Sequence, residues 1–284
     1  MARVLLSIGH GYSARALARR LLLAGGWRVI GTTRSAENAA ALEAEGVEPV
    51  VWPGADLSGL LGQASHVLSS VAPGPSGDPV VAALGPELGR RAPGLDWAGY
   101  LSTTGVYGDR EGEWVDENSP LAPSTERGRQ RVAAEAAWQA LGLPLHVFRL
   151  AGIYGPGRGP FRKLREGTAR RIVKPGQVFS RIHVDDIARA LEASILHPRP
   201  GAVYNLCDDE PAPPQDVLAE AARLLGQPPP PEVPFEEAEL SPMAQSFYSE
   251  SKRVSNARVK EELGLRLLHP TYREGLAAIL AAEG

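Results

Sequence analysis

Chemistry is first suggested at the head of the chain, where "SIGHGYSARAL" places Gly9, Gly11 and Ala14 between the apolar run "RVLLSI" and an alanine- and leucine-rich stretch. In such a Gly-x-Gly-x-x-Ala turn the first glycine allows a tight bend and the second lets bare backbone approach a diphosphate. The third small residue lets helix and strand pack closely, and the helix N-terminus attracts the anion. A dinucleotide is the ligand expected there, with Tyr12 and Ser13 opening the helix beside it. A glycine turn without a ligand is the alternative reading.

The second strand, "WRVIGTTR", ends in Thr33 and Arg34 and offers no acid to hold the 2′ and 3′ hydroxyls of a ribose. A guanidinium in that place suits a 2′-phosphate. NADP(H) is therefore expected in preference to NAD(H), unless Arg34 is only a solvated surface charge. Asp56 and Leu57, after the third strand, are expected beside the adenine, although Asp56 can equally cap a short helix. Ser70, Val71 and Ala72 close the fourth strand and complete the expected cofactor contacts.

A second concentration of chemistry is "STERGRQRVAAE", with arginines at 127, 129 and 131 in the first turns of a helix. The positive end of the helix dipole disfavours cations, so an anion nearby would explain them.

The elements that position these residues alternate short apolar runs with helical stretches, the pattern of repeated βα units and a doubly wound parallel sheet. Strands are expected at "RVLLSI", "WRVIGTTR", "EPVVW", "SHVLSSVA", "WAGYLSTT" and "LHVFRL". Helices are expected between them, one capped by Ser35 and one near 79–91 weakened by Gly85 and Pro86. Beyond Gly155 the regularity loosens. A helix "DDIARALEASI" is expected to start on Asp185 or Asp186, "AVYNLCDD" reads as a strand, and the proline run 227–234 as a stiff connector.

The 284 residues are 43% hydrophobic and 22% charged, enough for a sizeable core. A formal net charge of −3 provides no basic field for a polyanion, so nucleic acid is not an expected partner. Cys207 is the only cysteine, which rules out an intramolecular disulfide and a thiolate-rich metal site, and no metal is expected. No apolar run approaches the roughly 20 residues of a membrane span. The expectation is a cytoplasmic protein acting on a small molecule.

Taken together, "GHGYSA", "LSTTGVYGD", "GIYGPGRGPF" and "RIHVDDIARAL", with "AVYNLCDDEP" and "SKRVSNARVKEELG" further on, resemble the extended short-chain dehydrogenase/reductase superfamily of NAD-dependent epimerases and dehydratases. The resemblance implies a Rossmann domain over 1–155. A mixed region over 156–284 would add late sheet elements and a small substrate lobe. It also implies a nucleotide-sugar or other anionic substrate, and a homodimer built on the helices near 79–91 and 125–141. The glycine turn departs from the family form T-G-x-x-G-x-x-G: Ser7, Ile8, Gly11 and Ala14 stand at those places, with an added Gly9, which puts the chain among atypical members.

In that resemblance Thr103 is the strand-end hydroxyl that holds the reacting oxygen, though a β-branched residue also simply suits a strand. Dehydratases follow it with Asp and Glu. Here Thr104 and Gly105 follow, so dehydration by that route is not expected. The family's Tyr and Lys, four residues apart, fall on Arg127 and Arg131. A guanidinium keeps the cation but stays protonated at any working pH, so it cannot move the proton.

Tyr107 and Tyr154 are the nearest phenols for relocated acid/base work, each equally readable as a packing residue, and His183 reads as a structural histidine. Arg158, Arg162 and Lys252, with Arg253, either line the substrate cleft or form a solvated basic face. Three functions stay open: an epimerase- or reductase-like oxidoreductase, a non-catalytic NADP(H) sensor or scaffold, and an enzyme that clamps an acidic substrate between arginines.

Overall fold

Burial of the apolar runs decides the architecture. In the computed structural model, which describes residues 3–283, seven strands form one sheet. They are β1 (Arg3–Ile8), β2 (Trp27–Thr33), β3 (Glu48–Val51), β4 (His66–Ser69), β5 (Trp97–Thr103) and the later Leu145–Leu150 and Val203–Leu206. Every neighbouring pair is parallel. From one edge the order is Val203–Leu206, Leu145–Leu150, β5, β4, β1, β2, β3. The order reverses between β1 and β4, the switch point at which an open parallel sheet binds its ligand.

Both faces of this sheet are covered, as parallel strands require. Alternation along β1 sends Leu5 to one face, with Leu17 and Leu21 of α1 (Tyr12–Ala24) and Ile187 and Leu191 of the helix Val184–Leu196. Leu6 and Ile8 go to the other, with Leu84 and Leu88 of α4 (Pro79–Arg91) and Trp138 of α5 (Glu126–Gln139). The shorter α2 (Ala36–Ala44) and α3 (Ser58–Gln63) complete the early crossovers. A third core, around Tyr154, Phe161, Tyr272 and Ile279, is built from residues beyond the strand Leu145–Leu150.

Local signals explain most boundaries. The Ser35 side chain accepts from the Asn38 peptide N–H at 3.3 Å, and Asp78 caps α4 through the peptides of Val80 and Val81 at 2.9 and 3.0 Å. α4 forms despite Gly85 and Pro86 because Val80, Leu84 and Leu88 are buried against the sheet, and packing outweighs propensity.

Two expectations need correction. The helix Val184–Leu196 is capped by His183, whose Nδ1 accepts from the Asp185 peptide at 3.2 Å, and neither Asp185 nor Asp186 is the cap. The proline run is only partly a connector: Glu232–Pro234 pairs in parallel with Arg171–Val173 in a separate two-stranded ladder, an edge where proline's missing N–H is tolerated. Among the described residues no helix is long and apolar enough to cross a membrane.

Candidate functional site

At the switch point the carboxyl ends of β1, β2 and β4 open into a cleft of about 1010 Å³. Its floor is the glycine turn. Gly9 adopts φ +76°, and a Cβ there would lie 2.7 Å from Val71 Cγ2 and 3.1 Å from the Val71 peptide nitrogen, so only glycine lets the β1 and β4 ends meet. The Gly9 N–H donates to Thr32 Oγ1 at 2.8 Å and its carbonyl accepts from the Ser70 hydroxyl, which ties the turn to β2 and β4. Gly11 is the N-cap of α1 and makes no side-chain cap bond among the described residues. The first N–H groups of α1 are left to an anion.

Ser13 and Ala14 are buried in α1, Ala14 within the core, and support the turn from behind without lining the cleft. Tyr12 does line it. The Tyr12 hydroxyl donates to the Pro156 carbonyl at 2.9 Å, and the Arg158 guanidinium carbon lies 4.9 Å from the Tyr12 ring, so the loop after Tyr154 is drawn over the glycine turn.

Thr33 and Arg34 line the cleft at the end of β2. Arg34 is exposed and has no hydrogen bond or ion pair among the described residues, whereas nearby Arg15 is held by Glu45. Ser70, Val71 and Ala72 line the opposite wall.

The adenine expectation at Asp56 and Leu57 is corrected. Asp56 is exposed and its carboxylate accepts from the Ser58 peptide at 2.9 Å, while Leu57 is sealed in the core under α3. Trp52 and Pro53 take that wall of the cleft. His10 also lines it, and the sequence reading missed it. Burial pushes His10 down to about 4, so the ring is neutral at pH 7, and its Nδ1 lies 2.9 Å from Ser7 Oγ.

Beside β4 in the sheet lies β5, none of whose residues lines the cleft. Thr103 Oγ1 accepts from the Gly105 peptide at 3.2 Å and caps the turn Thr104–Tyr107. A Cβ at Gly128 would lie 2.9 Å from the Gly105 carbonyl oxygen, so the start of α5 sits hard against this turn.

The three arginines have separate fates. Arg129 pairs with Glu126 at 2.9 Å, and Arg127 is exposed with no partner among the described residues. Arg131 is anchored: one guanidinium nitrogen donates to the Tyr100 hydroxyl and the Leu101 carbonyl, both at 3.0 Å, and to the Val71 carbonyl at 3.5 Å. Burial, against the opposing effect of Arg131, pushes the Tyr100 phenol up to about 12, so it stays protonated.

Neither Tyr107 nor Tyr154 lines the cleft. Tyr107 is fully buried, donating to Asn205 Oδ1 at 2.7 Å and accepting from Arg149 at 3.0 Å. Its place is a buried network in which Arg149 pairs with Glu135 at 2.8 Å and Glu135 accepts from Ser102. Tyr154 is buried too, its hydroxyl directed at the Thr271 carbonyl at 3.4 Å, and burial raises its pKa.

Of the proposed substrate cations, Arg158 stands over Tyr12 at the rim of the cleft. Arg162 turns outward towards Glu166 at 3.6 Å, and Lys252 is buried in an ion pair with Glu250 at 2.6 Å.

Comparison with known proteins agrees with this geometry. The model of the NAD dependent epimerase/dehydratase family matches residues 90–207. Protein YeeZ of Escherichia coli K12 is 30% identical over 282 residues, covering 93% of this chain and 95% of that protein. The structure of a functionally unknown conserved protein from Silicibacter pomeroyi is 60% identical, with a TM-score of 0.94 over 99% of both chains. UDP-glucuronic acid 4-epimerase of Bacillus cereus in complex with NAD shares the fold at 18% identity, with a TM-score of 0.76 over 97% of this chain and 96% of that one.

Proposed function

Because the chain belongs to the NAD-dependent epimerase/dehydratase family, a branch of the extended short-chain dehydrogenases/reductases, we propose that it is an oxidoreductase that binds NADP(H) in this cleft and acts on a small anionic carbonyl or alcohol substrate. The observation that carries the cofactor choice is Arg34, an exposed guanidinium at the end of β2 without an internal partner and with no acid beside it in "GTTR". A carboxylate would repel a 2′-phosphate, and a free guanidinium pairs with one.

When bound, the nicotinamide would exchange hydride with the substrate carbon. The chain's own residues hold and orient. The α1 N-terminus takes the diphosphate and Thr103 holds the reacting oxygen. Arg131, fixed by Tyr100, keeps a positive charge at the Val71 wall. Arg127, without a partner of its own, takes the substrate's anionic group. Neither arginine donates the proton. That same anchoring of Arg131 supports a second reading, a sensor that binds NADP(H) without turnover.

Equilibrium binding separates these readings. Arg34→Ala is expected to weaken NADPH binding about tenfold, one exposed charge-assisted contact, and to leave NADH binding unchanged. Equal affinity of the native chain for the two cofactors would overturn the assignment. Tight NADPH binding with no oxidation across a panel of keto-sugars and aldehydes would favour the sensor.

A further inference from the structure

Two buried histidines and one half-exposed carboxylate, none of them lining the nucleotide cleft, meet at the start of the helix Val184–Leu196. His183 stands at the start of the helix Val184–Leu196, Asp185 is two residues on, and His269 arrives from the far C-terminal segment. Asp186 makes the meeting possible: its carboxylate accepts from the peptides of Leu268 and His269 at 2.6 and 3.0 Å and so fixes the backbone that carries the second ring. The two neighbouring aspartates therefore divide the work, Asp186 holding the loop and Asp185 facing both imidazoles.

The spacing is informative. His183 Nδ1 lies 3.6 Å from Asp185 Oδ2, and His269 Nε2 lies 3.7 Å from the same oxygen. Both are longer than a hydrogen bond. Ligand atoms bound tetrahedrally to one zinc ion at its usual bond lengths stand about 3.4 Å apart. The three residues each offer a ligand atom within 4.8 Å of the others, and the two ring centroids are 4.0 Å apart.

Both histidines are more than nine-tenths buried, and His269 Nε2, the atom that faces Asp185, has no hydrogen-bond partner among the described residues. Unmet polar atoms at that depth ask for a partner.

We infer that His183, Asp185 and His269 bind one divalent transition cation of the zinc class and thereby tie the C-terminal segment to the helix beside α1. Two imidazoles and one carboxylate suit zinc or its neighbours, whereas calcium and magnesium prefer oxygen donors. The Asp185 side chain is 51% exposed, which leaves a fourth position to water. Ligation through His183 Nδ1 exchanges one long cap bond, 3.2 Å from the Asp185 peptide, for a metal bond. No short metal-binding spacing announces the site, because the second histidine lies far along the chain.

The test is calorimetric titration of the full, chelator-stripped chain with zinc chloride at neutral pH. One ion per chain is expected, with micromolar or tighter affinity, and magnesium chloride should give no heat of binding. Asp185→Ala should weaken zinc binding at least tenfold and His269→Gln should abolish it, while the exposed His197→Gln should bind like the native chain. NADPH affinity should stay unchanged in His197→Gln. Absence of stoichiometric zinc binding, or native affinity in Asp185→Ala, would overturn the site. If circular dichroism finds His269→Gln unfolded, Asp185→Ala, altered only at a half-exposed side chain, decides the matter.

Discussion

The buried pair of Arg149 and Glu135 should be among the most sensitive points of the fold. The side chains are only 6% and 3% exposed. Arg149 reaches Glu135 through Nε at 3.2 and 3.3 Å and through a terminal nitrogen at 2.8 Å, while its other terminal nitrogen donates to Tyr107. Burial alone would lower the Arg149 pKa, but the bonds to Glu135 outweigh it and leave the guanidinium more firmly protonated than usual.

Glu135→Ala strands that cation in the interior, at a cost of about 3–5 kcal/mol. It also removes the acceptor of the Ser102 hydroxyl, about 1 kcal/mol more. For a chain of this length each kcal/mol lowers Tm by roughly 2–4 °C, so a fall on the order of 10 °C is expected. Replacing both partners, as Glu135→Ala with Arg149→Met, should recover much of the loss, because the cost lies in the unpaired charge. Urea unfolding followed by far-UV circular dichroism gives all four corners of the cycle. A loss below about 1 kcal/mol for Glu135→Ala, or simple additivity in the double variant, would refute the reasoning. The network joins β5, α5, the strand Leu145–Leu150 and the turn Thr104–Tyr107, so loosening it also displaces Thr103 and Arg131.

Other outcomes follow from the same geometry. Gly9→Ala should lose at least tenfold in NADPH affinity as well as stability, because its Cβ meets Val71 at positive φ. Gly25→Ala, at φ +74° in open space, should lose only about 1 kcal/mol of stability, and equal effects of the two on affinity would count against the turn's role. Burial lowers His10 and His66 from 6.5 to about 4. Both rings stay neutral in the fold while the unfolded chain takes up protons, so their contribution is complete above pH 6.5 and disappears as pH falls towards 4. Up to about 3 kcal/mol for each is at stake. The urea midpoint should fall over that window, and His66→Gln should flatten the fall; an unchanged slope would argue against it.

Much of the site could be read from local chemistry. The G-x-G-x-x-A turn lies between a strand and a helix, the cap at Ser35 forms, and Arg34 reaches the cleft, because each depends on residues within a few positions of one another. Where the expectation failed, the deciding partner was remote. Asp56 looked like a nucleotide contact, but Trp52 and Pro53 line the cleft after β3, and exposed Asp56 only accepts from the Ser58 peptide. Tyr107 looked available until Arg149 and Asn205, from two other strands, enclosed its hydroxyl.

The helix start at "STERGRQRVAAE" divides in the same way. Sequence alone determined that positions 127 and 131 carry guanidinium groups, which stay protonated at any working pH and cannot serve as the acid/base. Tertiary structure alone decided that Arg131 is bound to Tyr100, Leu101 and Val71 while Arg127 has no partner among the described residues. The chemical capacity of a side chain is local, but its partners are set by which strands the sheet brings together.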